Sequence, residues 1–279
     1  MTTSPTPAAL VTGGGSGIGL ACARHLAAGG HAVTIVGRSE ARLAAALAAL
    51  PEGTRAVAAD ITDEAAMAEA VARAEEGGPL RVVVANAGGA FAVGPLPLVS
   101  RADFARELEV NVTGTFVTLT AATPALARAG GGSVIAVSSV AGGLTHPLMA
   151  AYSTSKAALE MLVRNAADEL GRFGIRVNAV RPGLVPTDAS DPLATHGPTR
   201  DDYLAQMPLG RVGTVDDIAS AVAFLAGDGA GWITGQVLGV DGGHGLRRGP
   251  DLTALVGRHH ETALHAHLGV EPAPPQKTV

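Results

Sequence analysis

The sequence holds one cysteine, Cys22, so no internal disulfide can form, and no Cys/His set with zinc spacing occurs in the body of the chain. That argues against a disulfide-stapled secreted fold and for a reducing, cytoplasmic setting. Aromatic residues make up only 3% of the 279 residues, and the formal net charge is −5 with no basic cluster. Nucleic acid and anionic membrane surfaces are poor partners for such a chain. No apolar run approaches the roughly 18 residues of a membrane helix. Residues 1–9 have neither the charged nor the long apolar segment of a secretory leader.

What is abundant is small and apolar. Hydrophobic residues form 47% of the chain and glycine occurs 37 times, which suits one large α/β domain with helices packed closely on a sheet. Apolar runs at 8–12, 31–36, 54–58, 80–84, 133–138, 175–180 and 236–240 read as strands. Between them, helical patterns run to about 28 and over 39–50, 63–76, 101–128, 150–173 and 214–227. Strands apolar along their whole length, alternating with helices, predict a doubly wound parallel sheet covered on both faces, over 8–246. Residues 184–210 are rich in proline, aspartate and threonine without clear period, and an irregular insertion there predicts a lid.

The first strand runs into Gly13-Gly14-Gly15-Ser16-Gly17-Ile18-Gly19 and then a helix. Bare backbone at such a turn lets a pyrophosphate approach the free N–H groups and positive dipole end of the helix. A plain flexible turn is the alternative, since the spacing departs from the usual G-x-G-x-x-G. At the end of the second strand, Gly37-Arg38-Ser39 offers no acid for ribose hydroxyls, so Arg38 points to a 2′-phosphate and hence NADP(H); a surface arginine at a helix start is the bland alternative. Asn86-Ala87-Gly88-Gly89 and Ser138-Ser139 fall at strand carboxyl ends, where ligands of such sheets lie.

Tyr152 and Lys156 are four apart on one helix face. At about 4 Å and an effective dielectric of about 20, an ammonium attracts a phenolate by roughly 4 kcal/mol before solvation losses. Even part of that draws a phenol from near pH 10 toward neutrality. A chance pairing on a helix is the competing reading. Asn111, within Leu108-Glu-Val-Asn-Val-Thr113, is either a surface residue or a member of an internal polar network.

Taken together the chain resembles the short-chain dehydrogenases/reductases. The matches are Thr12-Gly13-x-x-x-Gly17-x-Gly19, Asp60, Asn86-Ala87-Gly88, Asn111, Ser139 thirteen residues before Tyr152, Tyr152-x-x-x-Lys156, Pro182-Gly183-x-Val185-x-Thr187 and Asp241-Gly242-Gly243, in the family's order. The resemblance implies a single Rossmann-like domain and hydride transfer between a nicotinamide and a carbonyl or secondary alcohol. It implies Tyr152 as general acid/base, Lys156 as the cation that lowers the tyrosine pKa and binds the nicotinamide ribose, Ser139 as donor to the substrate oxygen, and Asn111 as holder of a relay water. Gly13, Ser16, Gly17, Ile18, Gly19, Asp60, Ile61, Asn86, Ala87, Gly88, Pro182, Gly183, Val185 and Thr187 would touch the cofactor. The loop position that is basic in some NADP-dependent members is Ser16 here, so Arg38, helped by Ser39, carries the NADP(H) assignment and NAD(H) stays the alternative. A homo-oligomer, dimer or tetramer, is also implied.

Phe91, Val93, Leu144, His146, Met149 and Leu184 are the expected pocket walls, mostly apolar, which suggests a lipophilic ketone or alcohol; His146 either orients a polar group or simply sits in the loop. A non-catalytic dinucleotide sensor is the rival from another class, and Ser139, Tyr152, Lys156 and Asn111 together speak against it. No G-x-S-x-G elbow exists for a serine hydrolase. Residues 247–279 form an extension: a helix over 251–268 with Leu252, Leu255, Val256 and Leu264 apolar, then a proline-rich, disordered end. Its His259, His260, His265 and His267 lack acidic or cysteine partners for a metal, and packing against a neighbouring subunit is the favoured role.

Overall fold

The computed structural model describes residues 5–188, 190, 196–247, 249 and 258–270. Seven parallel strands form one sheet in the order β3-β2-β1-β4-β5-β6-β7. They are β1 (Ala8–Thr12), β2 (Ala32–Gly37), β3 (Arg55–Ala58), β4 (Leu80–Ala85), β5 (Gly132–Val137), β6 (Ile175–Pro182) and β7 (Val237–Val240). All seven coincide with the apolar runs of the sequence. After β3 at the edge, the chain returns to set β4 beside β1, so the connections leaving these two strands diverge and open a crevice at their carboxyl ends.

Alternation along each strand explains why the strands are apolar throughout. Ala8 and Leu10 of β1 belong to one core with Val83, Val134 and Val177, packed under α3 (Glu64–Glu75), α5 (Gly114–Arg128) and α6 (Ala150–Leu170). Ala9 and Val11 face the other way, with Ile35, Val84 and Ile135, against α1 (Gly17–Ala28), α2 (Glu40–Ala48) and α8 (Val215–Ala226). Each fully buried Leu, Ile or Val adds about 1.5–3 kcal/mol, so two such layers carry the sheet. Alanine on facing helices, Ala21 of α1 and Ala219 of α8, lets these two lie close together.

Two departures from the sequence expectation position the site. The helix expected over 101–128 is α4 (Arg101–Leu108) and α5 joined by a wide turn, Glu109–Thr113, in which the Gly114 N–H reaches back five residues to the Glu109 carbonyl. Gly114 sits there because a Cβ would come within 2.4 Å of Ile61 Cδ1. The lid, expected to be irregular, contains α7 (Pro198–Gln206), entered through Gly197 and Pro198. In the extension the described helix is α9 (Arg258–Leu268), within the expected 251–268; residues 251–257, with Leu252, Leu255 and Val256, and the proline-rich end lie outside the described residues. It lies against the turn at Leu96–Leu98 of its own chain, with His260 beside Gly94.

Candidate active site

One crevice of about 630 Å³ runs along the carboxyl ends of β1, β2, β4, β5 and β6, within the range of cofactor sites. Gly13, Ser16, Gly17, Ile18, Arg38, Ser39, Asp60, Ile61, Asn86, Ala87, Gly88, Ser139, Tyr152, Lys156, Pro182, Gly183, Val185 and Thr187 all line it. Gly19 lies beneath: a Cβ there would fall 2.2 Å from the Gly13 carbonyl oxygen, so only glycine lets the loop fold back on the helix. Gly13 takes φ +67, and its missing Cβ leaves room for the Asn86 amide.

This cradle suits an anion. Helices α2, α3, α4 and α8 each have a side chain capping their first amides. Ser16 precedes α1 without such a bond, and no acid occupies the first turn, so the amides and their partial positive charge face the crevice. Thr12 and Asn86 lock the loop: Thr12 Oγ1 accepts from the Asn86 and Ala87 N–H at 3.0 and 3.1 Å, while Asn86 Nδ2 donates to the Thr12 carbonyl at 3.0 Å. From the lid side, Thr187 covers Gly17.

At the far end, among the described residues, the cations are Arg38 and Arg42. Arg38 is exposed and sits 4.0 Å from the Asp60 carboxylate. Asp60 itself is held in a tight turn by Thr62 N–H and Oγ1, and these bonds, the backbone one first, keep it below the usual carboxylate range. Arg42, missed in the sequence, lines the same end and pairs with Asp188 at 3.5 Å; its place four residues after Arg38 was the available signal. Ser39 is committed as the cap of α2, accepting the Arg42 N–H.

Tyr152 and Lys156 do share a face, with Nζ 5.7 Å from the ring centroid. The expected acidification is not found. Burial in the crevice wall pushes the phenol up, the Ser139 hydroxyl pulls it down, and the Glu107 carboxylate pushes it up again. Lys156 is instead a desolvated cation, donating to the Val137 carbonyl at 3.0 Å and lowered to about 8 by burial, against the pull of Glu107 and Glu160. The sequence estimate set an attraction against a solvated phenol; in the folded chain desolvation of both groups outweighs it.

Asn111 is internal. Its Oδ1 accepts from Gly89 N–H at 3.0 Å, and Nδ2 donates to the Gly89 carbonyl, Glu107 Oε1 and Ser155 Oγ. Glu107, fully buried and not anticipated, also accepts from the Phe91 and Ala92 N–H; desolvation raises its pKa while these donors oppose the rise. Glu160, equally unforeseen, accepts from Ser138 Oγ at 2.8 Å and from Arg181, which ties the end of β5 to α6 and β6. Both acids stand on a helical four-residue ladder, 107 to 111 and 152 to 156 to 160, a spacing that gives a shared face but not their burial.

Phe91, His146, Met149 and Leu184 line the crevice as expected, whereas Leu144 and Val93 do not, the latter being exposed. Tyr203 of α7 joins them and packs with Met149, Leu184 and Met207. Cys22 is buried in the core, its thiol pushed up to about 12, and takes no part. Among the described residues, no group of three His, Cys, Asp or Glu side chains is placed to hold a metal, and no helix is long and apolar enough to cross a membrane.

Comparison with known proteins agrees with this geometry. A family model described as enoyl-(acyl carrier protein) reductase matches residues 13–245. A cis-4-hydroxycyclohexanecarboxylate dehydrogenase of Sinomonas cyclohexanicum is 40% identical, over 85% of this chain and 95% of its own length. A short-chain type dehydrogenase/reductase from Mycobacterium ulcerans superposes with a TM-score of 0.87 at 41% identity, covering 92% of this chain and 95% of the other. A 3-ketoacyl-(acyl-carrier-protein) reductase from Brucella melitensis, complexed with NADH, superposes with a TM-score of 0.79 at 33% identity, covering 85% and 97%. With its parallel seven-stranded sheet and with relatives matched over nearly their whole lengths, the chain belongs to the short-chain dehydrogenase/reductase family, oxidoreductases of alcohols and ketones that use a nicotinamide dinucleotide.

Proposed function

We propose an NADP(H)-dependent oxidoreductase acting on a carbonyl or secondary alcohol of a mainly lipophilic substrate, with Tyr152 as general acid/base. Residues 8–246 form the catalytic domain and 247–279 an extension. The observation that carries the reading is one continuous crevice, which begins at the uncapped N-terminus of α1 and ends where Ser139, Tyr152 and Lys156 meet. The bound nicotinamide supplies or takes the hydride. The chain's own part is the proton. In reduction, the Ser139 hydroxyl donates a hydrogen bond to the carbonyl oxygen and the Tyr152 phenol, kept protonated by its raised pKa, gives its proton to the same atom. The Lys156 ammonium, one turn along, then steadies the phenolate. Asn111 and Glu107 hold the Gly89 to Ala92 backbone that walls the site. Phe91, Met149 and Leu184 favour an apolar carbon framework.

Support for NADP(H) comes from the two exposed cations, Arg38 and Arg42, at the end of the crevice that has no acid at 37 or 38. NAD(H) is favoured by a different observation: Arg38 already faces Asp60, and the Brucella melitensis relative is complexed with NADH. Fluorescence titration with NADPH and NADH separates them, tighter NADPH binding that is lost in Arg38→Ala being the expected result. A carbonyl panel read by NADPH oxidation tests the chemistry. Tyr152→Phe should lose about 10²–10⁴-fold in kcat while still binding NADPH. Turnover that survives in this variant would remove Tyr152 as proton donor. The single buried Cys22 suits a cytoplasmic enzyme.

A further inference from the structure

The loop between β5 and α6 carries an imidazole that the proton transfer above does not use. His146 is 5% exposed and lines the crevice beside Met149, Leu184 and Tyr203. Its Nδ1 lies 3.1 Å from the Leu144 carbonyl oxygen. Since a carbonyl can only accept, Nδ1 carries the ring proton and Nε2 a lone pair. That Nε2 is buried and makes no hydrogen bond. Burial holds the ring below the usual imidazole pKa, the Leu144 carbonyl opposes this, and His244 adds to it, so the ring is neutral at pH 7.

The ring is firmly held. Its centroid is 6.3 Å from that of Tyr203 and 6.2 Å from that of His244, one from the lid and one from the turn after β7. Two residues on, Leu148 takes φ +69, a left-handed backbone that leucine rarely adopts, and its carbonyl accepts the Gly94 N–H at 2.7 Å. The loop thus keeps a costly conformation that presents His146 at the crevice wall, and a buried acceptor without a donor is a second cost at the same place.

We infer that His146 is a specificity-determining residue whose Nε2 accepts a hydrogen bond from a second hydroxyl of the substrate. The substrate class is then a mainly apolar ketone or alcohol bearing one further hydroxyl, with Met149 and Leu184 against its carbon framework. A lone pair repels a carboxylate, so a carboxylate in place of that hydroxyl should be disfavoured. The inference rests on the carbonyl and alcohol reading given under Proposed function.

The test compares kcat/KM of the full chain, with its preferred cofactor, for cyclohexanone, for 2-, 3- and 4-hydroxycyclohexanone, and for 4-oxocyclohexanecarboxylate. The best hydroxyketone should exceed cyclohexanone by about tenfold or more, chiefly through KM, and the carboxylate should fall below both. In His146→Phe the hydroxyketone-to-cyclohexanone ratio should drop to near one, and His146→Gln, which keeps an acceptor oxygen, should restore part of it. Because the ratio is taken within one variant, a general loss of packing leaves it unmoved. A ratio near one in the wild type, a ratio preserved in His146→Phe, or the carboxylate as best substrate overturns the inference. Turnover of none of these ketones with either dinucleotide overturns the carbonyl reading itself, and the hydroxyl anchor with it.

Discussion

Lys156 is where burial and charge compete most sharply. The ammonium is 4% exposed and has the Val137 carbonyl as a direct partner, with Glu107 and Glu160 farther off. Folding moves its pKa from 10.5 to about 8. Between those values the unfolded chain binds a proton that the folded chain does not, so stability gains from this group as pH rises from about 8 to 10.5. Below pH 8 both states are charged and the desolvation cost stands in full. Urea unfolding of the wild type and Lys156→Met at pH 7.5, 9 and 10 should therefore show the wild type gaining stability relative to the variant with each step. A difference that stays flat would mean that the ammonium is better solvated than its surroundings indicate. Tyr152, Lys156, Ser139 and Asn111 were legible as residues because motif and spacing single them out. Glu107 and Glu160 were not, since an acid in an amphipathic helix reads as solvated until the chain that covers it is known; for Glu107 that cover is the backbone at 91–92.

At the scale of elements, every strand was legible from its apolar run, because a sheet covered on both faces leaves no polar alternation to confuse the pattern. The wide turn at Glu109–Thr113 was not: Gly114, which closes it, packs against Ile61, a contact between distant segments that no local pattern shows. α7 was missed because its burial is narrow: Tyr203 packs on the crevice wall while most of its neighbours are polar. Under the proposed reading, the element on which binding most depends is the turn from β1 to α1, legible as a glycine run though only the fold explains its spacing. Gly19→Ala places a methyl 2.2 Å from the Gly13 carbonyl oxygen and 2.6 Å from Asn86 Nδ2, both fixed backbone or bonded groups. The strain should cost about 1–3 kcal/mol of stability. More diagnostic, displacing the loop should weaken dinucleotide binding by at least about tenfold, the equivalent of about 1.4 kcal/mol. Fluorescence titration checks it, and unchanged affinity in a folded variant would mean that the loop does not cradle the ligand.

The whole molecule leaves apolar surface that one chain does not cover. β7 is an edge strand, with Leu238 exposed, and Trp232 in the turn before it stands entirely in solvent; Phe224 of α8 and Phe173 just before β6 are half exposed. An unpaired edge flanked by large apolar side chains invites pairing with another chain. A separate set, Phe116 of α5 and Met161 of α6, protrudes from the helices over one face of the sheet. If each of these surfaces meets its own copy about a two-fold axis, the assembly expected is a dimer of dimers. Sedimentation equilibrium should give about four times the 27.7 kDa chain mass. Trp232→Asp combined with Phe224→Asp should reduce the particle to a dimer, because charges at the β7 edge leave the α5 and α6 surface intact. Deleting 258–279 should leave the mass of the assembly fourfold, since α9 lies on the Leu96–Leu98 turn of its own chain. A monomer in the wild type would show that these side chains are tolerated in water, and a smaller assembly after the deletion would return the extension to an intersubunit role.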